Sequence, residues 1–429
     1  MRWALLTSMP SGEHFTLRQI RQALEWKSDD VKIFSVISDG HLKRPEQLDR
    51  ELCGWRPQRV LWYSEVGLPY YELWISEKWE SIPKIDLWFD EPVTSVERFG
   101  LEGVMRLTGG RRDFFHGIWD GYWRKDAVAR WGIHPKAIHL AADGNEFQPL
   151  WKCEAKRKKT LVSDGMVFIG MLHSQASIDR HLSDLPRGLN ALARAAQASF
   201  DDWFAPDRKM SLEPPSWDRV WRRARMDLGR KEQILVDMEE QREREAVFRV
   251  RWAFWAMAKN RVRVEVLRRA RRVAPLRIYC DQQQLQHASV AEWGSLLGKE
   301  GNEATVVDTS GITGSELARL YWEGRLHLQA TDPQSVEGGI PYRVFQTAAA
   351  GRVLVTDGRP ELEDCFASGK ELLTFGALEQ VAAVLESVYA DVDRLECMGR
   401  AARGRFERDH QWIKRMDEIQ GWVTEAGLS

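Results

Sequence analysis

The chain has 429 residues, of which 43% are hydrophobic and 29% are charged, and its formal net charge at pH 7 is -1. This length exceeds one ordinary hydrophobic core, so the sequence predicts a globular protein of two or more domains. The near-zero net charge excludes a global attraction to nucleic acid or to a membrane surface.

The five cysteines form no CxxC pair, which argues against a disulfide framework or a zinc site and favours the reducing cytoplasm. The N-terminal sequence MRWALLTSMPSGEH has too short an apolar run for a signal peptide, and no stretch of about 18 apolar residues predicts a membrane span. The 20 tryptophans favour a large aromatic core, with some stacking on sugars or bases.

Short apolar runs alternate with amphipathic stretches over residues 1–150. The predicted elements in chain order are RWALLTS, the helix FTLRQIRQALEW, then VKIFSVIS, RVLWYSEVG, KIDLWFDE, DFFHGIWDGYWRKDAVARWG and AIHLAAD. This alternation is typical of a parallel α/β sheet with buried strands. The charged segment WKCEAKRKKTLVSD, residues 151–164, is the predicted linker.

The second predicted domain, residues 165–409, begins with GMVFIGMLHS and is interrupted by a helical segment at about 178–273. Between Arg219 and Arg272 this segment has seventeen Lys or Arg against eight Asp or Glu. The α/β alternation returns with PLRIYCD, EATVVD, GSELARLYWEG, RLHLQAT, RVLVTD, ELLTF and ALEQVAAVLESVYADV. The sequence thus predicts two α/β domains, the second with a basic helical insertion.

The segment VEGGIPYRVFQTAAAGRVLVTD contains the most informative local pattern. Gly338 and Gly339 precede a predicted helix from Pro341 to about Ala350, which Gly351 would end. Because glycines have no side chains, a phosphate can approach this helix N-terminus closely. There it meets free backbone N–H groups and the positive end of the helix dipole. The alternative is a simple turn before a core helix.

Two polar side chains of this predicted helix could complete a phosphate-containing site. Arg343 lies in its first turn and could clamp a phosphate through two hydrogen bonds. Gln346, on the same side, could bind a hydroxyl.

From Ser315 onwards, the sequence resembles the C-terminal half of GT-B glycosyltransferases, specifically the CgeB-like (spore maturation protein-like) group. The similar segments are ELARLYWEGRLHLQAT, GGIPYRVFQTAAAGRVLVTDGRPELEDCFASGKELLTF and GRAARGRFERDHQWIKRMDEIQ, with weaker similarity in IPKIDLWFDEP, AADGNEFQP and VFIGMLHS. The resemblance implies two Rossmann-like domains facing a cleft, with the helix at 410–429 packing back on the first domain.

The resemblance also implies a nucleotide-sugar donor, such as a UDP-sugar, bound by the second domain and a hydroxyl acceptor bound by the first. The predicted donor-binding residues are Gly170, His173, Gly338, Gly339, Tyr342, Arg343 and Gln346. Of these, the glycines at 338 and 339 would face the diphosphate, which Arg343 would neutralise. Gln346 stands where the family usually has a ribose-binding Glu, so the base and sugar preference stays open, as does retention or inversion. The class of transfer is hexosyl or pentosyl.

Two carboxylates are the catalytic candidates in the first domain. Asp90 follows IDLWF at the carboxyl end of a predicted strand, where it could act as a general base, although a cap or turn role before Pro92 is the alternative. Glu65, after VLWYS, is the second candidate. No Asp-x-Asp pair or His/Cys ligand cluster predicts a metal, so neither a metal nor another cofactor is expected.

Three other interpretations were weighed. A dehydrogenase or P-loop enzyme would need a glycine fingerprint that the sequence lacks. The basic insertion could hold DNA through Arg222, Arg223, Arg251 and Arg268, which would make the enzyme a transferase for a hydroxymethylated base. A solvated charged face or a protein-contact surface is the alternative, with a protein, glycan or small molecule as acceptor. A non-catalytic nucleotide-sugar-binding protein is the third interpretation, and nothing predicts the oligomeric state.

Overall fold

The computed structural model of the protein describes residues 1–9, 15–38, 40–89, 92–154, 163–183, 185, 241–281, 287–312, 314–332 and 339–428. The chain divides into two compact units. Unit 1 comprises Met1–Asp143, Ser335–Ile340 and Asp409–Ser429, and unit 2 comprises Gly144–Gln334 and Pro341–Arg408.

Unit 1 is built on a parallel sheet. Its strands are β1 (Arg2–Thr7), β2 (Asp30–Ser35), β3 (Ile37–Ser38), β4 (His41–Leu42), β5 (Arg59–Tyr63), β6 (Lys84–Trp88), β7 (Phe114–Ile118) and β8 (Lys136–Ala137). Six of them form the sheet in the order β2-β1-β5-β6-β7-β8, with every neighbouring pair parallel, while β3 and β4 form a separate antiparallel pair. Strands β5 to β7 are almost wholly buried, as apolar runs without alternation predict.

The helices of unit 1 connect these strands. They are α1 (Phe15–Trp26), α2 (Pro45–Trp55), α3 (Tyr71–Trp74), α4 (Pro92–Phe99), α5 (Glu102–Gly109) and α6 (Gly121–Trp131), with a 3-10 helix at Ser64–Tyr70. Local sequence sets the ends of α6. The Asp120 carboxylate accepts a hydrogen bond from the Tyr122 N–H at 2.8 Å, and Gly132 ends the helix in the left-handed conformation.

Unit 2 has a second parallel sheet. Its strands are β9 (Ser163–Ile169), β10 (Leu276–Cys280), β11 (Ala304–Asp308), β12 (Gly324–Leu328), β13 (Val353–Asp357) and β14 (Leu373–Phe375), in the order β11-β10-β9-β12-β13-β14. Its helices are α7 (Gly144–Glu154), α8 (Gln175–Leu182), α9 (Gln241–Ala270), α10 (Val290–Leu297), α11 (Gly314–Glu323), α12 (Tyr342–Ala349), α13 (Leu362–Cys365), α14 (Gln380–Tyr389) and α15 (Val392–Asp409).

Helix α9 is the longest described part of the basic helical insertion predicted at about 178–273. It precedes β10 directly, and its buried residues Val262, Val266 and Leu267 pack into the same core as the unit 2 sheet. Arg251 and Arg263 of this helix are only 3% and 2% exposed, so the arginines do not form one solvated face. This part of the predicted insertion is therefore a core helix, while residues 186–240 lie outside the described residues.

Most of the fully buried large side chains are indoles. They include Trp3, Trp62, Trp74, Trp79, Trp88, Trp293 and Trp412. In unit 1, the rings of Trp62 and Trp74 stack with their centroids 6.0 Å apart, and Trp79 meets Trp74 edge-on at 6.0 Å. Trp62, Trp74 and Trp79 thus fill the core of unit 1, and Trp293 lies in the core of unit 2, so the number of tryptophans does not by itself indicate sugar stacking.

The boundary between the units differs from the predicted linker. Trp151 belongs to α7, and its Nε1 donates a hydrogen bond to the Ala349 carbonyl of unit 2 at 2.8 Å. Helix α7 also packs against α11. Residues 151–154 are therefore helical, and unit 1 gives way to unit 2 at Asp143 instead of at residue 150. Residues 155–162 of the predicted linker lie outside the described residues.

The last helix, α16 (Trp412–Glu425), belongs to unit 1. Its Trp412 donates an Nε1–H hydrogen bond to Gln19 Oε1 at 2.7 Å, and Arg415 Nε donates to the His139 carbonyl at 3.0 Å. Lys27, the residue after α1, pairs with Asp417. These side-chain contacts thus hold the C-terminal helix against α1 and the segment after β8. Among the helices described here, none is long and apolar enough to cross a membrane.

The C-terminal end of α12 is packed tightly against α15. Gly351 has a φ of 69°, and a methyl group built on Gly399 of α15 would lie 2.2 Å from the Gly351 carbonyl oxygen. The Arg403 guanidinium lies 4.1 Å from the centroid of the Trp151 ring, and Arg403 Cδ would lie 3.6 Å from a methyl group built on Gly351. Helix α12 therefore ends in a rigid backbone contact.

We expect Gly399→Ala to lower the free energy of unfolding by about 1–3 kcal/mol, because the added methyl group overpacks a backbone-to-backbone contact. Urea unfolding measures this change. Gly404→Ala is the matched control on the same helix, because its methyl group would meet only Arg408 Nη1, at an ordinary 3.7 Å. Equal stability of the two variants would contradict the contact.

Candidate functional site

The carboxyl ends of β9 and β12 mark the point at which the strand order of the unit 2 sheet reverses. Strands β10 and β11 lie on one side of β9, whereas β12 and the following strands lie on the other. Ligands of open parallel sheets bind at the carboxyl edge beside such a point, because the following loops separate there. Gly170 follows β9 at this edge, and Asp332 lies shortly after β12.

Gly170 occupies a position that has no room for a side chain. A methyl group there would lie 2.7 Å from the Phe168 ring and 3.6 Å from Arg343 Nη2. The Gly170 N–H donates to the Tyr279 carbonyl at 2.9 Å, which fixes the turn to β10. The structure thus brings together Gly170 and Arg343, two of the predicted donor-binding residues.

Arg343 is the second residue of α12, which begins at Tyr342, with Pro341 as its N-cap. The predicted start at Pro341 was one residue early. The guanidinium is half-buried, and it forms no hydrogen bond or ion pair with any residue in the described part of the chain. It is therefore a cation available to an anionic ligand.

The other predicted donor-binding residues of this segment lie on both sides of Arg343 in the sequence. Gly339 has a φ of 66°, a conformation that favours glycine, whereas Gly338 lies outside the described residues. Tyr342 is half-buried at the start of the helix. Gln346, one turn later, is only 4% exposed, and its side-chain amide has no hydrogen-bond partner among the residues described.

Helix α9 contributes two cations to the same edge, which the sequence reasoning missed. Arg263 Nη1 donates to the Met171 carbonyl at 2.7 Å, and Lys259 forms an ion pair with Asp332. Asn260 fastens the helix to the turn, because its Oδ1 accepts from the His173 N–H at 2.8 Å and its Nδ2 donates to the His173 carbonyl at 2.7 Å. The only sequence signal was the Lys-Asn-x-x-Arg spacing, which puts both cations on one helix face.

The three cations influence one another. Burial, and then the charge of Arg343, lowers the pKa of Arg263 to about 9. Burial also lowers the pKa of Lys259, and Arg263 and Arg343 add to that effect, while Asp332 opposes it. Asp357 also attracts Arg263, but the Asp357 carboxylate already accepts from Arg359 Nε at 2.7 Å. Among the described residues, this edge therefore has an excess of positive charge, as an anion site requires.

His173 lies in the turn after β9, and its imidazole is uncharged. Burial and the charge of Lys259 lower the pKa of its imidazole to about 3, so the ring is neutral at physiological pH. The ring packs edge-on against Trp252 with centroids 4.8 Å apart and is 6% exposed. His173 therefore cannot supply a positive charge to a phosphate.

Of the two described arginines of the predicted DNA surface, only Arg268 is presented to solvent. Arg251 is 3% exposed, so it is buried rather than presented to solvent. Arg268 pairs with Glu265 at 3.0 Å and also donates to the Leu296 carbonyl. The indole of Trp252, on the same helix, stacks on the His181 ring with centroids 3.8 Å apart. Arg222 and Arg223 lie outside the described residues.

In unit 1, Glu65 follows β5 at the corresponding edge of its sheet. The strand order reverses between β1 and β5, and Glu65 is in the first turn of the 3-10 helix after β5. Ser64, at a φ of 55°, turns the chain out of the strand. Burial raises the pKa of Glu65, although a hydrogen bond with Ser95 opposes that rise. Asp90, the other catalytic candidate, lies outside the described residues and stays a prediction.

A buried Asp–His pair lies inside the same sheet. Asp86 Oδ2 and His116 Nδ1 are 2.9 Å apart, and the two residues are 0% and 5% exposed. Burial raises the pKa of Asp86, and the Asp86 charge in turn helps to raise the pKa of Glu65. Because Asp86 is inaccessible, Glu65 is the better placed of these two carboxylates to reach a substrate. No group of three metal-ligating side chains occurs among the described residues.

Comparisons with known proteins agree with this architecture. The model of a family described as glycosyl transferase-like matches residues 261–421, less than half of the chain. Sucrose-phosphate synthase from Thermosynechococcus elongatus superposes with a TM-score of 0.56 at 10% identity, covering 100% of both chains. A glycosyltransferase from Rickettsia africae gives 0.54 at 10% identity, covering 99% of this chain and 98% of its own. HepE from Anabaena, in complex with UDP and glucose, gives 0.50 at 11% identity, covering 99% of this chain and 100% of its own.

The chain has the GT-B fold class. This confirms the predicted pair of Rossmann-like α/β domains. No curated protein matches the sequence. At identities of 10% and 11%, the GT-B structures establish the fold, and the activity has to be argued from the site.

We expect Asn260→Ala to release the turn after β9, because the His173 N–H and carbonyl lose the amide that binds both. Hydrogen exchange measures this directly, and the His173 amide should exchange faster in the variant. The Ser177 amide, which donates to Ser174 Oγ at 3.1 Å, is the internal control and should not change. Unchanged exchange at His173 would show that Asn260 does not hold the turn.

Proposed function

We propose that the protein is a glycosyltransferase that transfers a sugar from a nucleotide-sugar donor to a hydroxyl acceptor. The observation that carries this proposal is Arg343, a half-buried guanidinium without a described partner, lying beside the side-chain-free Gly170 at the sheet edge. A diphosphate is the group that such an arrangement suits, because it brings two adjacent anions to a bidentate donor. The glycosyl transferase-like match, which includes α12, supports the same assignment.

A UDP-sugar is the donor that we propose. HepE from Anabaena shares the fold and forms complexes with UDP and glucose and with UDP-glucose. In this chain the uncommitted amide of Gln346, one turn after Arg343, would bind a donor hydroxyl, such as one of the ribose. The transferred group would be a hexosyl or pentosyl unit. Arg343 and the helix N-terminus would neutralise the diphosphate without a metal ion.

Glu65 is the general base that we propose for the acceptor. Glu65 lies at the carboxyl edge of the unit 1 sheet. Burial raises the pKa of its carboxylate, which makes the carboxylate a stronger base. Asp90 is the alternative base. Membership of the CgeB-like group is part of the same proposal, and its support is the motif order of the sequence. The described arginines give no support to a DNA acceptor.

We expect Arg343→Ala to weaken UDP binding by about 1.5–3 kcal/mol, the worth of a hydrogen bond to a charged group. Isothermal titration calorimetry measures the affinity, after a thermal-shift screen of UDP, GDP, TDP and CMP sugars identifies the preferred base. Arg319→Ala is the matched control in the same unit, because that side chain is 72% exposed and pairs only at the surface. An affinity equal to that of the unaltered protein would refute the role of Arg343.

We expect activity to increase with pH through the ionisation of Glu65, because a general base must be unprotonated. The raised pKa places this acidic limb of the kcat/KM profile above pH 4.5, the ordinary glutamate value. Glu65→Gln should remove the limb and lower kcat by about 100-fold or more, with UDP affinity unchanged. A variant that keeps both the limb and the rate would assign the base to another residue, with Asp90→Asn as the next variant to measure.

A further inference from the structure

The turn after β9 has no cation of its own. Its sequence, Gly170-Met171-Leu172-His173-Ser174, contains neither lysine nor arginine, and His173 is neutral. An anion bound at this edge would therefore meet only backbone and Arg343 unless another element supplied charge. The element that does so is α9, through Lys259 and Arg263.

Helix α9 is fixed on the turn by three hydrogen bonds. Asn260 bonds to both backbone groups of His173, and Arg263 donates to the Met171 carbonyl. Lys259 and Arg263 are four residues apart and therefore lie on the same face of the helix. The positions of both cations are thus set before any ligand arrives, which reduces the entropy lost on binding.

This arrangement is unfavourable without an anion. Arg263 is 2% exposed, its Nε has no hydrogen-bond partner, and it lies close enough to Arg343 for the two positive charges to repel. Burying an incompletely bonded cation beside a like charge costs free energy that the fold has to offset. Asp332 is the acid that pairs with Lys259. A further anion would stabilise all three cations together.

We infer that Lys259 and Arg263 of α9 bind the donor diphosphate together with Arg343, and that Lys259 exchanges its ion pair with Asp332 for a phosphate oxygen. This inference rests on the proposed function and extends it to a helix outside the Gly-Gly segment. It assigns Asp332 the opposite effect, because its carboxylate competes with the phosphate for Lys259.

The two partners of one ion pair are therefore expected to change affinity in opposite directions. Lys259→Gln should weaken UDP binding by about tenfold or more, because a charge-assisted hydrogen bond is lost. Asp332→Asn should strengthen UDP binding by about threefold or more, because the competing charge is removed. Calorimetry with UDP measures both changes, and uridine, which lacks phosphate, is the matched probe whose affinity should stay constant.

A structural ion pair gives a different result. Both variants would then lose stability, and their UDP affinities would be unchanged or would change in the same direction; either outcome would overturn the inference. Urea unfolding of each variant separates a loss of folding from a loss of binding. Arg263→Lys, which keeps the charge but not the planar donor, serves as a second variant and should weaken UDP binding without affecting uridine.

Inorganic pyrophosphate separates this inference from the proposed function. Suppose that the unaltered protein binds pyrophosphate but no nucleoside diphosphate, and that Lys259→Gln weakens and Asp332→Asn strengthens pyrophosphate binding. The anion site then stands and the nucleotide-sugar proposal fails. If UDP binds and the Lys259 and Asp332 variants leave its affinity unchanged, the donor site stands and the role of α9 fails. Binding of neither probe overturns both.

Discussion

The hydrogen bond from Arg263 to the Met171 carbonyl joins the two structural elements on which unit 2 depends. On one side it holds the turn at the carboxyl end of β9, the strand next to which the sheet order reverses. On the other it places a guanidinium inside the protein, on a helix whose Val262, Val266 and Leu267 belong to the core of the unit 2 sheet. Helix packing and the charge of the sheet edge are consequently set by the same side chain.

The two units have the same sheet topology at their candidate sites, but the charges at the two sites have opposite signs. Each parallel sheet has a reversal point, and each reversal point is followed by a residue of potential function, Glu65 in unit 1 and Gly170 in unit 2. The edge in unit 2 has excess positive charge, whereas Glu65 is next to the buried acid Asp86. An anionic donor and a proton-releasing acceptor would thus each meet the charge that they require.

Local patterns were sufficient for most of the longer strands and for several helices, but not for β4, and only Ala137 of the predicted AIHLAAD belongs to a strand. The predicted FTLRQIRQALEW is α1, Phe15–Trp26, and α12 starts one residue after its predicted start. Both have clear amphipathic or capping signals that act within a few residues.

The role of α9 could not be predicted in this way. Arg263 of this helix and Arg271, just after it, donate to carbonyls distant in sequence, those of Met171 and of Gly298 and Asn302 respectively. A basic sequence pattern normally indicates a solvated face, and only the fold shows where the acceptors lie. The indole of Trp252 packs on His181 and His173, which are also distant from it in sequence.

The uncommitted amide of Gln346 has a consequence for how donor preference could diversify. Arg263 holds the turn after β9 and is also one of the residues inferred to bind the donor, so its replacement would disturb both roles. Gln346 is buried on a helix whose far end is fixed by Gly351 and Gly399, yet its amide makes no described hydrogen bond. Substituting Gln346 would therefore break no side-chain hydrogen bond of the described fold. This makes Gln346 the first position to vary when selecting or engineering a transferase with a different donor.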